Sequence, residues 1–288
     1  MKNRLDELDL ELLPRSRTTD AGAEWALARA GGALQLVAVV PPGREPLLED
    51  LEGQTQADPG GTLLVGPTSP RNAAGLRRHL DWLRPRRLGT ATSAGLGDRL
   101  GLATPGHVRA VRTAGGGLRP IFAQQSIREM SRTGRTPIEV MDDATWGTLA
   151  EGWRDGVGAD ADHLKTPEDV DACLAAGFSF FTVDPGDHVD STADGAGPEE
   201  LCAAVSALPW TDLEDTEADL RARYLGRTVG VEDHTFELDE ATVLRAAAKY
   251  GRAVAHVTRM DRHLRAAAAG SREVELEVSV DETETPTT

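Results

Sequence analysis

The stretch GADADHLKTPEDVDACLAAGFSFFTVDPG, Gly158–Gly186, decides the fold. Ala159–Leu164 is a short strand that ends on polar residues. Thr166 is a helix-capping type. Pro167 suits the first helical position, where a missing N–H costs nothing, and Glu168 and Asp169 complement the positive end of the helix dipole. Val170, Cys173 and Leu174 form an apolar face, and Gly177 stops the helix. Phe178–Val183 is then a continuous apolar strand, closed by the turn Asp184-Pro185-Gly186. A strand–helix–strand unit of this length forces its two strands to run parallel in one sheet.

The same alternation continues outward. Strands are predicted at Leu88–Ser93 and Ile121–Gln124, then a loop over Gln125–Pro137. A helix follows, capped by Asp142 or Asp143, with Trp146, Leu149, Ala150 and Trp153 on one face. Residues 187–238 read as an acidic, less regular insertion. Asp239 caps a long helix to about Ala269, and Val274–Val280 is a last strand. That makes five strands where a closed barrel needs eight. The expected fold is therefore α/β, a (β/α) barrel-like sheet left incomplete, over residues 86–288, with an open sheet as the other solution. The stop soon after the last strand implies a longer parent chain. Residues 1–85 read as an N-terminal α/β extension, with Ala21–Ala30 and Arg71–Leu83 helical and Leu34–Val40 and Thr62–Val65 as strands.

Composition narrows the function. A net charge of −16 excludes a nucleic-acid surface, which needs a basic stripe. It leaves room for a small anion held by a few local cations. No apolar run approaches a membrane span, the amphipathic start MKNRLDELDLELL lacks a signal core, and Cys173 and Cys202 cannot make a disulfide framework. A cytoplasmic protein fits best. An unclosed barrel also exposes an edge strand, which invites homo-oligomers.

In parallel α/β folds, chemistry gathers at the C-terminal ends of strands. Four polar clusters sit there: Gln124-Gln125-Ser126, Asp160 to Lys165, Asp184 to Asp190, and Asp281-Glu282-Thr283. Asp162-His163 suits a base beside a metal ligand, or a satisfied buried histidine. Lys165 is one of three lysines, with Lys2 and Lys249, in a chain that otherwise writes its cations as arginine. It suits an oxyanion, a substrate carboxylate, a Schiff base or a plain surface charge. Asp184, Asp187, His188 and Asp190 suit metal or sugar hydroxyls, or a simple turn. Asp281, Glu282 and Glu284 suit acid–base work or a frayed end. Arg128, Arg132 and Arg135 offer a carboxylate clamp or solvated charge. Gly95–Gly101 is one residue too long for a dinucleotide fingerprint and is rejected as one. His107 is a weaker candidate, and His79, His234, His256 and His263 read as structural.

GLGDRLGLATPGH (95–107), IFAQQSIREMSRTGRTP (121–137), DDATWG (142–147), GADADHLKT (158–166), FFTVDPGDHVD (180–190) and EVSVDETETPTT (277–288) resemble the tagaturonate epimerase family. The resemblance implies a barrel-like, metal-dependent isomerase of hexuronate catabolism that interconverts tagaturonate and fructuronate, keto sugar acids. Its members extend past residue 288 with further histidines. It implies Asp162 as proton acceptor, His163 as a ligand to a divalent cation such as zinc or manganese, and Glu282 as proton donor. Gln124, Gln125, Ser126, Arg128, Asp184, His188 and Asp281 are expected to touch substrate.

The two sugar acids differ at the carbon β to the ketone, whose C–H the carbonyl does not acidify. Two routes invert it: transient oxidation by a nicotinamide, whose binding signal is rejected above, and retro-aldol cleavage, rotation of the aldehyde and re-addition, which fits the residues and needs acid–base groups on opposite sides of the substrate. A Schiff-base aldolase using Lys165 and a non-catalytic sugar-acid binder are the competing readings.

Overall fold

The computed structural model describes Leu5, residues 8–269, residues 274–280 and Glu284. Two compact units emerge, one drawn from Met1–Asp162, Val170–Phe181 and Ser271–Glu275, the other from His163–Asp169, Thr182–Gly270 and Leu276–Thr288.

The N-terminal strands are β1 (Glu11–Leu12), β2 (Thr18–Asp20), β3 (Ala23–Ala30), β4 (Ala33–Val40), β5 (Gln54–Asp58) and β6 (Gly61–Pro67). They pair antiparallel in the order β1-β3-β4-β6-β5, with β2 also on β3. The stretch predicted helical from Ala21 is thus a strand, β3. Its alanine-rich sequence favours helix locally, but both faces of the sheet are buried and tertiary packing overrides propensity. Trp25 and Leu27 pack with Leu36, Ala38 and Val40 on one face; Ala26 and Ala28 pack with Val37, Val39 and Leu63 on the other. Gly31 and Gly32, at φ 57° and 84°, form the tight β3–β4 turn that side-chain-bearing residues resist. Helix α1 (Pro70–His79) follows, with Ser69 Oγ accepting from Asn72 N.

The second sheet grows from β7 (Ser93–Gly95), α2 (Thr104–Ala114), β8 (Arg119–Ser126), α3 (Ile127–Thr133), α4 (Pro137–Glu151), β9 (Gly158–Leu164), α5 (Pro167–Ala176) and β10 (Phe180–Val183). After α6 (Pro198–Ser206), α7 (Trp210–Leu213), α8 (Glu217–Tyr224), the hairpin β11 (Thr228–Val231) and β12 (His234–Glu237), and α9 (Glu240–Ala268), β13 (Glu275–Val278) completes it. The strand order is β13-β10-β9-β8-β7. Registers make β7–β8 and β8–β9 parallel. Ser179 N→Ala159 O and Asp184 N→Leu164 O, then Glu275 N→Ser179 O and Ser279 N→Val183 O, advance in the same direction on both strands. The fold is α/β: five parallel strands of a half-barrel type with helices, plus the N-terminal antiparallel sheet.

Three boundaries differ from the sequence reading. The first parallel strand starts at Ser93, after the turn at Gly89, instead of at Leu88. The predicted loop from Gln125 holds α3, capped by Ser126 Oγ accepting from Glu129 N and ended by left-handed Gly134. Helix α4 starts at Pro137 under a Thr136–Glu139 capping box, so Asp142 and Asp143 lie inside it. The insertion is more regular than expected, because each of its longer helices carries its own N-terminal partner: Glu200 reaches back to Gly197 N and Thr216 accepts from Asp219 N. Among the described residues, no helix is long and apolar enough to cross a membrane.

Helix α4 is the hinge of the first unit's packing. Leu149 is fully buried in the cluster holding Trp25, Leu76 and Trp146. Replacing Leu149 by alanine is expected to destabilise the chain by about 2–5 kcal/mol, read as a lower urea midpoint at unchanged slope.

Candidate active site

The ladder between β8 and β9 sets the first cluster. Gln124 lies opposite Asp160 and Ser126 opposite Asp162. Side chains alternate along a strand, so these four share one face of the sheet. There Gln124 Nε2 donates to Asp162 Oδ2 at 3.1 Å. This bond leaves the amide as the orienting group and the carboxylate as the acceptor, a fit geometry for a base at a strand end.

The glycines of the rejected dinucleotide motif explain how Gln124 is held. A Cβ on Gly97 would lie 2.8 Å from Gln124 Oε1, and one on Gly95 would lie 3.2 Å from Gln124 Cγ. The glycines are small so that the amide can lie beneath them. Between them and α2, Asp98 accepts from the backbone N–H groups of Leu100, Leu102, Ala103 and Thr104 at 2.7–3.2 Å. Burial pushes the Asp98 carboxyl up, but these bonds outweigh it and hold the group below its ordinary value.

Gln125 points to the opposite face. It is buried, its Oε1 accepts from Arg135 Nη1 at 2.6 Å and its Nε2 donates to Thr133 Oγ1 at 3.4 Å. Arg135 also donates to Asp98 O at 2.6 Å and to Asp143 Oδ2 at 2.6 Å. Ser126 is the α3 cap, Arg128 is exposed on α3, and Arg132 pairs with Glu129 at 2.9 Å. Asp142 is paired with Arg77 at 2.8 Å; burial still raises both Asp142 and Asp143, against their arginines.

The second unit carries the other polar strand ends. His163, the last residue but one of β9, has φ 55°, a left-handed conformation uncommon outside glycine that histidine adopts more readily than most residues. Lys165 Nζ lies 2.9 Å from Asp187 Oδ2 and 3.6 Å from Asp184 Oδ2. Its hydrogen bond to Asp187 comes first in raising its pKa, with both carboxylates adding attraction against partial burial. Asp184 Oδ1 accepts from Gly186 N at 2.8 Å, so the turn is internally braced.

His188 stacks on His256 with ring centroids 4.2 Å apart. His256, structural by its sequence context, is thus a direct neighbour of His188. His256 is buried, and its Nε2 has no hydrogen-bond partner among the described residues. Burial, then the charges of His188 and Arg259, push its pKa down; Asp184 and Asp187 oppose them. Asp281 and Glu282 lie outside the described residues. Among the described residues no three His, Cys, Asp or Glu side chains are grouped to hold a metal ion, so these residues alone do not fit the expected cation.

The fold defines an α/β protein with a parallel sheet of half-barrel type, and each of its two units carries polar residues at strand ends. The chain belongs to the tagaturonate epimerase family, whose model, UxaE, matches residues 33–288. It is similar to the tagaturonate/fructuronate epimerase of Thermotoga maritima, 44% identical over 217 residues, 74% of this chain and 42% of that protein. It is also similar to crystal structures of the fructuronate-tagaturonate epimerase UxaE of Cohnella laeviribosi, native and with one glycerol bound. Both give a TM-score of 0.82 at 35% identity, covering 99% of this chain and 55% of those chains. The chain spans about half the length of these relatives.

Two outcomes follow from the geometry. Gly97→Ala forces the Gln124 amide to move, so the Gln124–Asp162 bond should lengthen beyond 3.5 Å in a crystal structure of the variant, while a variant that keeps it refutes this role for Gly97. His256 is depressed in the folded state, so the unfolded chain binds its proton more readily. Its contribution to stability is full above about pH 6.5, the ordinary histidine value, and is lost as pH falls through the lower folded value. NMR should find its midpoint below that of free histidine, and His256→Phe should flatten the acid side of the stability profile.

Proposed function

We propose that this chain acts in the interconversion of D-tagaturonate and D-fructuronate, by inversion at the carbon β to the ketone. Family membership supports the substrate class, and the Gln124–Asp162 hydrogen bond is the observation that carries the chemistry. Asp162 removes the proton of the hydroxyl on that carbon. The electron pair forms the aldehyde as the bond to the α carbon breaks, leaving an enediolate. The aldehyde turns and is attacked on its other face, and the new alkoxide is protonated by Glu282. Lys165 binds the substrate carboxylate or offsets the growing negative charge. Its ion pairs with Asp184 and Asp187 favour the ammonium form and therefore disfavour a Schiff-base role, which needs the free amine.

Asp184 and His188 are proposed to bind sugar hydroxyls beside it. Gln125 and Ser126 brace the site, because their polar groups are already engaged with Arg135 and α3. Arg128 and Asp281 stay as proposed substrate contacts. A divalent cation with His163 as one ligand also remains a proposal. A cytoplasmic setting and self-association through an open sheet edge belong to the same reading, as does a domain division near residue 85.

The test is conversion of tagaturonate followed by NMR. Asp162→Asn should lower kcat by about 10²–10⁴-fold with little change in KM. Retained turnover in the variant ends the assignment of Asp162. No turnover by the unmodified chain, with a sugar acid still bound in calorimetry, replaces the epimerase reading with a binding role.

A further inference from the structure

The arginines of this acidic chain are not spread evenly. In the first unit, a cavity of about 820 Å³ is lined by Arg86, Arg87, Arg112, Arg119 and Arg154, against Asp155 as its one carboxylate. It opens at the N-terminal start of β8, where Arg119 is the first residue. Gln124 and Asp162 sit near the other end of the ladder, about 16 Å along the strand.

Three of the five pair with carboxylates, Arg87 with Glu275 at 3.7 Å among them, and Arg119 and Arg154 do not. Arg119 Nη1 donates to the Asp155 carbonyl oxygen at 3.1 Å, and Arg154 Nη2 to the Arg17 carbonyl oxygen at 2.7 Å. Neither has a carboxylate partner among the described residues. Arg112 shares Glu151 with Arg15 and Arg109, and Arg86 shares Asp81 with Arg84. The guanidinium of Arg154 stands 5.7 Å from the centre of the Trp82 ring, which also lines the cavity. That contact orients the planar fork before any ligand arrives. At the rim, Gly116 and Gly117 have left-handed φ of 56° and 90°, and a Cβ on either would meet nothing within 4 Å. The wall there is bare backbone, open to a close approach.

Gathering like charges costs electrostatic energy unless something of opposite sign offsets it. Carbonyl oxygens satisfy the N–H groups of Arg119 and Arg154 but leave their charge. We propose that this cavity is a binding site for a compact, multiply charged anion, a phosphate group or a polycarboxylate, held by Arg119 and Arg154 with Arg112 beside them. It lies at the opposite strand ends from Gln124 and Asp162 and so takes a ligand other than the one that Asp162 acts on. Guanidinium forks match either anion by paired N–H···O bonds.

Calorimetry with the whole chain tests this, with sodium phosphate and citrate as probes and sodium chloride at matched ionic strength as control. Saturable binding is expected for at least one probe, and Arg119→Ala with Arg154→Ala together should weaken it at least tenfold. Phosphate binding alone assigns a phosphate-bearing ligand, citrate alone a polycarboxylate, and either supports the site. Equal heats from chloride, or equal affinity in the double variant, overturn it. Should that variant fail to fold, phenylglyoxal labelling of the unmodified chain gives the same decision. The bound anion should slow modification of Arg119 and Arg154 but not of the exposed Arg132, and no selective protection refutes the proposal.

Discussion

The parallel pairing of β8 with β9 is the constraint on which the site depends. Parallel strands need a crossover, and each crossover returns the chain to the same end of the sheet. The strand ends are thereby aligned before any side chain is chosen. Register then does the finer work: Ser126 opposite Asp162 and Gln124 opposite Asp160 put an amide within reach of a carboxylate. A slip of one residue would bring Gln125 to that face and turn Gln124 into the helical layer. Site and fold are here the same fact about hydrogen-bond register.

Behind the sheet, Arg135 supports that register. A half-buried guanidinium is costly unless its donors are used. Here they reach Gln125, the Asp98 carbonyl and Asp143. The contacts join the loop before α2, α4 and β8 through one side chain. Asp98 in turn gathers four backbone N–H groups. The Gly95–Gly101 loop is therefore a rigid cover over Gln124, which accounts for glycines that resemble a nucleotide motif without forming one.

What could be read from sequence was the pattern dominated by local chemistry. The Pro167 helix start, the Gly177 stop and the apolar run after it specify the β9–α5–β10 unit without tertiary information. Asp239 marks α9 in the same way. The misreadings came where distant contacts decide. Ala23–Ala30 is a good helix by composition and a strand by its place between two apolar layers. Ser126-x-x-Glu129 and Thr136-x-x-Glu139 are capping patterns visible in sequence, whereas the apolar spacing after Asp142 mimics a helix start there. Gln124 and Gln125 look alike in sequence and differ wholly in the structure, because only the sheet says which side each faces. His256 was illegible as a neighbour of His188, since 68 positions of chain separate them and no local pattern joins them.

The two lysines among the described residues, Lys165 and Lys249, differ in physical setting. Lys249 is buried, with Nζ 2.9 and 3.2 Å from the two Asp194 carboxylate oxygens and 5.4 Å from the Tyr250 ring centre. A compact ammonium fits that enclosure, where a planar fork needs more room. Removing Asp194 would leave a buried charge, so stability alone explains this lysine. Lys165 is different. It is nearly half exposed, at 46% for the side chain, and an exposed ion pair contributes only about 0–1 kcal/mol. Arginine would serve such a pair equally well. Stability therefore gives no reason for lysine at 165. A point charge with three rotatable donors does, if it must exchange Asp187 for a carboxylate that comes and goes.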